Sequence, residues 1–308
     1  MFVDLIPITS REEWLKWRKN DCNASTVGAL FGVHPFQTIA GLHAEKMGLD
    51  LPGPNPESAV IRRGNALEAV VAAEVAKLHP EWKITKNDHY YRDAHARIGA
   101  TPDFLLDGDP RGLGILQTKT VGAWKFKKEW GEPEAPTPPL WIILQNATEV
   151  MLADAAFGAI GVLVIGDFTF DCHVIEVPRH KATEHKIRVA VHGFWETLRA
   201  GEVPKIDYER DGDLIKLMYP TTVPGKIIDL RRDNRIIELL EIRERQAGFE
   251  KEAKFRKTEA ETEIRAKLGD AEIAMVPGWQ VSLKTQTRHE HVVKESTFRV
   301  LRSERIGE

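Results

Sequence analysis

Hydrophobic and polar positions along the chain switch between a helical and an alternating period, and the switches mark its elements. Residues 8–19, ITSREEWLKWRK, place Ser10 as an N-cap, Glu13 three residues on as its capping-box partner, then Trp14, Leu15 and Trp17, which predicts a helix. A short helix over 24–31 opens with Ser25 and Thr26, and another over 40–47 is stopped by Gly48. LPGPNPES at 51–58 reads as a proline-rich surface loop. Residues 64–79, GNALEAVVAAEVAKLH, predict a buried helix ending before Pro80, with Leu67, Val70, Val71, Val75 and Leu78 as its apolar positions. Glu68 shares a face with Val71 and Val75. A carboxylate among core positions is costly unless paired or metal-bound. The plainer reading is a first-turn glutamate that complements the helix dipole.

Residues 82–93 and 97–107 read as strands, and DGDPRGLG is the turn into a third strand over 114–121. PEAPTPP at 133–139 is a stiff connector, followed by a long helix over 140–157 containing Gln145. Strands over 159–170 and 172–179 and a helix over 182–199 close the unit near Gly201. Strands, a crossover helix and further strands make an α/β core with a mixed central sheet flanked by helices. After Pro204 the composition changes: a strongly charged helix runs over 232–268, and GWQVSLKTQ and STFRVLRS read as a strand pair. The expected organisation is a domain over 1–205 and a C-terminal α+β extension over 206–308.

At 308 residues, 42% hydrophobic and 29% charged, the chain has the composition of a soluble globular protein. A net charge of −3 argues against a surface coated in base and leaves room for a local basic groove. Cys22 and Cys172 lie far apart without metal-ligand spacing, which suits reduced thiols in a cytoplasmic setting. MFVDLIPITS lacks the basic and apolar regions of a signal peptide, and no run is long enough to span a bilayer. A soluble cytoplasmic protein without membrane contacts is the expectation.

The candidate chemistry lies in ARIGATPDFLLDGDPRGLGILQTKTV, residues 96–121. Period-two alternation puts Ile115, Gln117 and Lys119 on one face and Leu116, Thr118 and Thr120 on the other, with Asp103 arriving from the neighbouring strand. An acid, a second oxygen ligand and a lysine at strand ends suit a divalent cation and a water beside a phosphodiester. A half-solvated edge hairpin is the alternative. Trp124, Phe126 and Trp130 interleave with Lys125, Lys127 and Lys128, as a DNA-facing loop would require, and they fit a core equally well.

Arg18 and Ser25, RRGNALE at 62–68, TPD at 101–103, QTK at 117–119, Lys125 and Gln145 follow one another in an order that resembles the phage lambda-exonuclease type of YqaJ-like viral recombinases. These belong to the restriction-endonuclease-like PD-(D/E)xK nucleases, and the resemblance covers roughly residues 8–205. It implies Asp103 as a metal-binding aspartate and Lys119 as the catalytic lysine, with Glu68, Gln117 and Thr118 around the metal and Gln145 beside it. It also implies a pocket for a 5′-terminal phosphate made by Arg18, Ser25, Thr101 (a serine in the archetype) and Lys125 (an arginine there). The activity implied is a Mg²⁺-dependent 5′-to-3′ exonuclease on double-stranded DNA ends, with Mn²⁺ as a substitute. Its 3′ tails would pass to a single-strand annealing protein, and the archetype is a ring-shaped homotrimer.

Gln117 departs from that pattern, because the family usually has glutamate two residues before the lysine. A glutamine carbonyl still ligates Mg²⁺, but the site loses one negative charge. A natural variant, an engineered substitution that traps DNA, and a degenerate DNA-end binder all remain open. So does an endonuclease of the same fold. Each implied residue also has an ordinary reading: Arg18 as an exposed helix arginine, Ser25 as an N-cap, Lys125 as part of a solvated basic face, Gln145 as a helix-surface amide.

Overall fold

The structure, a computed structural model, describes residues 2–49, 58–287, 295 and 298–303. The chain opens with β1 (Asp4–Pro7), α1 (Arg11–Asn20) and β2 (Cys22–Asn23); a 3-10 turn at Ala24–Thr26 then runs into α2 (Val27–Leu30). Ser10 caps α1 by accepting from Glu13 N at 3.1 Å, and Thr38 caps α3 (Ile39–Lys46) by accepting from Gly41 N at 2.9 Å. Next come α4 (Ala59–Leu78), β3 (Lys83–Lys86), β4 (His89–Asp93), β5 (Ile98–Ala100), β6 (Phe104–Asp107) and β7 (Gly114–Gly122). The unit continues through α5 (Ala123–Trp130), α6 (Leu140–Leu152), β8 (Phe157–Ile165), β9 (Phe170–Pro178), α7 (Lys181–Arg199) and α8 (Gly212–Met218).

Both strand runs expected over 82–93 and 97–107 are broken in the middle. β3 and β6 join a five-stranded sheet of order β3-β6-β7-β8-β9, whereas β4 and β5 join a four-stranded sheet of order β1-β4-β5-β2. Pro102 has no N–H for a ladder. The breaks are tied to each other through Asn87. Its Nδ2 donates to Pro102 O at 3.0 Å and to His89 O at 2.8 Å, and its backbone N donates to Asp103 O at 3.2 Å. Thr101 therefore follows the last residue of β5, and Asp103 precedes the first residue of β6.

The five-stranded sheet is mixed: β7 and β8 are parallel, joined by the α6 crossover, and its other pairs are antiparallel. On one face Val71 and Val75 of α4 pack with Leu106, Leu116 and Leu163. On the other, Ile142 of α6 packs with Ile160 and Val162, and Val150 with Ile115. Helix, three antiparallel strands, crossover helix and parallel strand form the restriction-endonuclease-like core anticipated above. Leu144, Met151 and Leu152 of α6 also join a second core with Tyr91, Ile98 and α7's Ile187, Val191 and Trp195. Nine of the thirteen residues of α6 are buried, so the helix serves two cores at once.

Several expectations are corrected. α4 begins at Ala59, capped by Ser58, so Glu68 lies well beyond its first turn, and Leu78 is exposed. The helix expected over 140–157 stops at Leu152, where Asp154 takes a left-handed backbone (φ 49°), and Phe157 starts β8. The aromatic–lysine segment is a helix, α5, rather than a loop: Phe126 and Trp130 are core, while Trp124 is exposed.

The chain divides into two compact units, residues 1–218 and 219–308. α8 stays with the first unit because buried Asp211 accepts from Thr38 Oγ1 at 2.5 Å and Leu214 is buried. The second unit holds α9 (Asn234–Leu268), none of whose residues is buried, and an antiparallel pair, β10 (Ile273–Val276) with β11 (Trp279–Ser282). The partner of 278–286 is thus the segment just before it. Of STFRVLRS, residues 296 and 297 lie outside the described residues, and 298–303 form no strand.

Gly158 in β8 faces Asn146 of α6: a Cβ there would lie 1.8 Å from Asn146 Oδ1. Gly158→Ala is expected to cost about 1–3 kcal/mol through overpacking between α6 and the sheet, read as a lower urea midpoint at unchanged slope.

Candidate active site

Asp103 lies just before the first residue of β6, and the middle of β7 comes up to its side chain. Asp103 Oδ2 accepts from Thr118 N and Thr118 Oγ1, both at 2.8 Å, and from Gln117 Nε2 at 2.6 Å. Gln117 Oε1 accepts from Gln145 Nε2 at 2.8 Å, and that same nitrogen donates to Glu149 Oε1 at 3.0 Å. Gln145 Oε1 accepts from Lys119 Nζ at 3.3 Å, and the ammonium lies 5.7 Å from the Trp141 ring centre. The face-sharing of Gln117 and Lys119 is thus realised, with Gln145 between them. Asp103 and Glu149 stand at the two ends of a ladder of two amides.

Glu149 is 1% exposed, and its Oε2 has no hydrogen-bond partner. Burial pushes its carboxyl well above the usual carboxylate range and the charge of Asp103 adds to this, against the Gln145 hydrogen bond and the charges of Lys119 and Arg18. Glu149 went unremarked in the sequence, although its spacing of four from Gln145 on a helix puts the two side by side.

Among the described residues no three acidic, histidine or cysteine side chains converge on one point. Mg²⁺ does not need such a cage: it binds through one or two carboxylates, retained waters and substrate phosphates. Asp103, whose three bonds all end on Oδ2, and Glu149, with its orphaned Oε2, fit that donor set. Gln117 fits it less directly. Its amide turns the NH₂ toward Asp103, so ligation through Oε1 requires the amide to turn over and give up the bond from Gln145. Glu68 is held apart from the ladder in an ion pair with Lys86, whose ammonium lies 4.8 Å from the Phe104 ring centre.

The residues of the implied phosphate pocket come together in part. Arg18 Nη2 donates to Ser25 Oγ at 2.8 Å, and its guanidinium stacks 4.5 Å from the Trp14 ring centre. Trp14 Nε1 donates to Thr101 Oγ1 at 2.9 Å. Trp14, expected only as an apolar helix residue, therefore joins Arg18 to Thr101. Burial lowers the Arg18 pKa, opposed by the charges of Tyr90, Glu45 and Glu149. Lys125 stands elsewhere, 3.7 Å from Glu129 Oε1 and 5.9 Å from the Phe36 ring centre. His34 lies beside both groups, edge-on to Trp141 at 5.4 Å; burial lowers its pKa, a backbone hydrogen bond at Ser25 opposes this, and the charges of Arg210 and Lys119 lower it further.

The model of the YqaJ-like viral recombinase domain matches residues 13–155, which contain all of the side chains just described except Arg210. Those residues are similar to the YqaJ-like viral recombinase domain. The uncharacterised protein YqaJ of Bacillus subtilis (strain 168) is 26% identical over 311 aligned positions, covering 94% of this chain and 93% of that protein. An alkaline exonuclease from Laribacter hongkongensis aligns at 19% identity and a TM-score of 0.47, over 66% of this chain and 98% of that one. A phage-related exonuclease from Haemophilus somnus 129PT aligns at 14% identity and a TM-score of 0.42, over 59% and 96%. The matched segment ends just beyond α6, so β8, β9 and α7 complete the sheet and the second core from outside it. No described helix is long and apolar enough to cross a membrane.

Because its pKa is raised in the folded state, the ionised form of Glu149 costs stability at neutral pH, and that cost fades as pH falls to the ordinary carboxylate range. Glu149→Gln should therefore raise the melting temperature at pH 7.5 by roughly 2–4 °C, the effect of about 1 kcal/mol in a domain of this size. The gain should vanish toward pH 4, as read by thermal unfolding across the pH range.

Proposed function

We propose that this protein is a divalent-metal-dependent exonuclease on double-stranded DNA that works from the 5′ end and leaves 3′ single-stranded tails. The observation that carries the reading is the hydrogen-bonded group Asp103–Gln117–Gln145–Lys119 beside the half-buried Arg18–Ser25 pair. Asp103 and the oxygens of the amide ladder would hold Mg²⁺, or Mn²⁺ in its place. The bound ion would supply Lewis-acid stabilisation of an in-line displacement at phosphorus. Lys119, steered by Gln145, orients the attacking water and offsets developing negative charge. Arg18, Ser25 and Thr101 offer a cation and two hydroxyls to a terminal phosphate, which fixes the scissile bond one nucleotide from the end. The product tails suit a single-strand annealing protein, and the resemblance adds a homotrimer as the working assembly.

A Mg²⁺ titration on linear 5′-phosphorylated duplex tests this, with covalently closed circular DNA as the comparison; cleavage of the circle would indicate an endonuclease. Lys119→Ala is expected to lower the cleavage rate by roughly 10²–10⁴-fold with DNA binding retained. Undiminished turnover would exclude the site. Arg18→Ala should slow digestion of 5′-phosphorylated ends more than of 5′-hydroxyl ends, and an equal effect would remove Arg18 from phosphate recognition.

One observation favours a second reading. With its NH₂ group on Asp103, Gln117 satisfies the aspartate without a metal, as a silent DNA-end-binding protein would. That reading predicts end binding with no hydrolysis at any Mg²⁺ or Mn²⁺ concentration.

A further inference from the structure

We propose that Glu149 is the second carboxylate of the cation centre, supplying from α6 the negative charge that Gln117 does not supply from β7. The inference rests on the nuclease reading and deepens it. Glu149 is the one buried acid of α6, a helix that packs into two apolar cores, and its Oε2 makes no hydrogen bond in the protein. A buried carboxylate with an orphaned oxygen is a destabilising arrangement unless something binds there. Its other oxygen takes the end of the amide ladder that begins at Asp103, so the two acids lie on either side of Gln117 and Gln145. Lys119 is held by the same Gln145, which keeps the ammonium close enough to Glu149 for its charge to act on the carboxyl.

The arrangement also accounts for the orientation of Gln117. With an acid at each end, the amides run in one direction: each presents NH₂ toward an acid or a carbonyl, and the carbonyl left over on Gln145 meets Lys119. A glutamate at 117 would put a second acid against Asp103 and would receive the Gln145 amide in competition with Glu149. One carboxylate at 117 or at 149, in addition to Asp103, gives the pair that a Mg²⁺ site with waters and substrate phosphate uses. Here that second acid stands on the helix.

The test is calorimetric titration with Mn²⁺ alone, without DNA, of the wild-type full chain, Asp103→Asn, Glu149→Gln and the double variant Gln117→Glu/Glu149→Gln. Loss of Glu149 is expected to weaken Mn²⁺ binding by roughly 10–100-fold, the range seen when a group supporting a metal site is removed. Moving the charge to position 117 in the double variant should recover most of that loss. Wild-type affinity in Glu149→Gln, or a double variant no tighter than Glu149→Gln, overturns the proposal. If Asp103→Asn abolishes binding while Glu149→Gln leaves it intact, the centre stands and only the role of Glu149 falls. If Asp103→Asn binds Mn²⁺ like wild type, or the wild type binds none, both fall. Circular dichroism checks folding; should Glu149→Gln not fold, Glu149→Asp replaces it, with weakened binding expected and unchanged binding decisive against the proposal.

Discussion

Everything of functional interest hangs on the double break at Asn87 and Pro102. A proline that cannot extend a ladder stops one strand, and the amide of Asn87, in the gap between β3 and β4, donates to the Pro102 carbonyl and to His89 O. The two strands on either side then diverge into separate sheets. Without that divergence, Thr101 and Asp103 would point to the same face of one continuous strand. With it, Thr101 meets Trp14 and the Arg18 group, while Asp103 turns to β7. Three consecutive residues thus serve two neighbouring centres, one suited to an anion and the other to a cation.

The group from Asp103 to Glu149 shows how charge is managed in a buried place. Two acids this close would repel each other if both were ionised, and burial favours their protonated forms. The amides of Gln117 and Gln145 separate them and offer donors to each, so neither carboxylate faces the other directly. Lys119 and Arg18 add positive charge from two different elements. Charge balance across α1, β6, β7 and α6, more than any single side chain, makes the group tenable in a fold whose net charge is close to neutral.

Much of this was legible before the coordinates. The alternation in ILQTKT put Gln117 and Lys119 on one face because a half-buried strand has a fixed period. The crossover helix and the mixed sheet followed from the order of apolar runs. What stayed hidden depended on partners distant in sequence. The break at Pro102 has a local signal in a residue with no N–H, but the matching break at Asn87 is tied to a tertiary hydrogen bond that no local preference specifies. Phe126 and Trp130 fitted a DNA-facing loop and a core equally well, because the intervening lysines masked a helical period. Glu68 looked like a ligand candidate, and its ion pair with Lys86 depends on how α4 lies over β3. Glu149 escaped notice because a single acid in an apolar helix has no motif; only its neighbours give it a meaning.

The position of α6 has one more consequence. The helix packs Ile142 and Val150 against one sheet and Leu144 and Met151 against the other core, and it carries Gln145 and Glu149 between them. A side chain of altered volume in either hydrophobic layer would tilt or slide the helix, moving both polar groups relative to Asp103. Buried methylenes that touch none of the polar group would thereby set the spacing of the two acids, so variation deep in the interior of this protein reaches the geometry of Asp103 and Glu149.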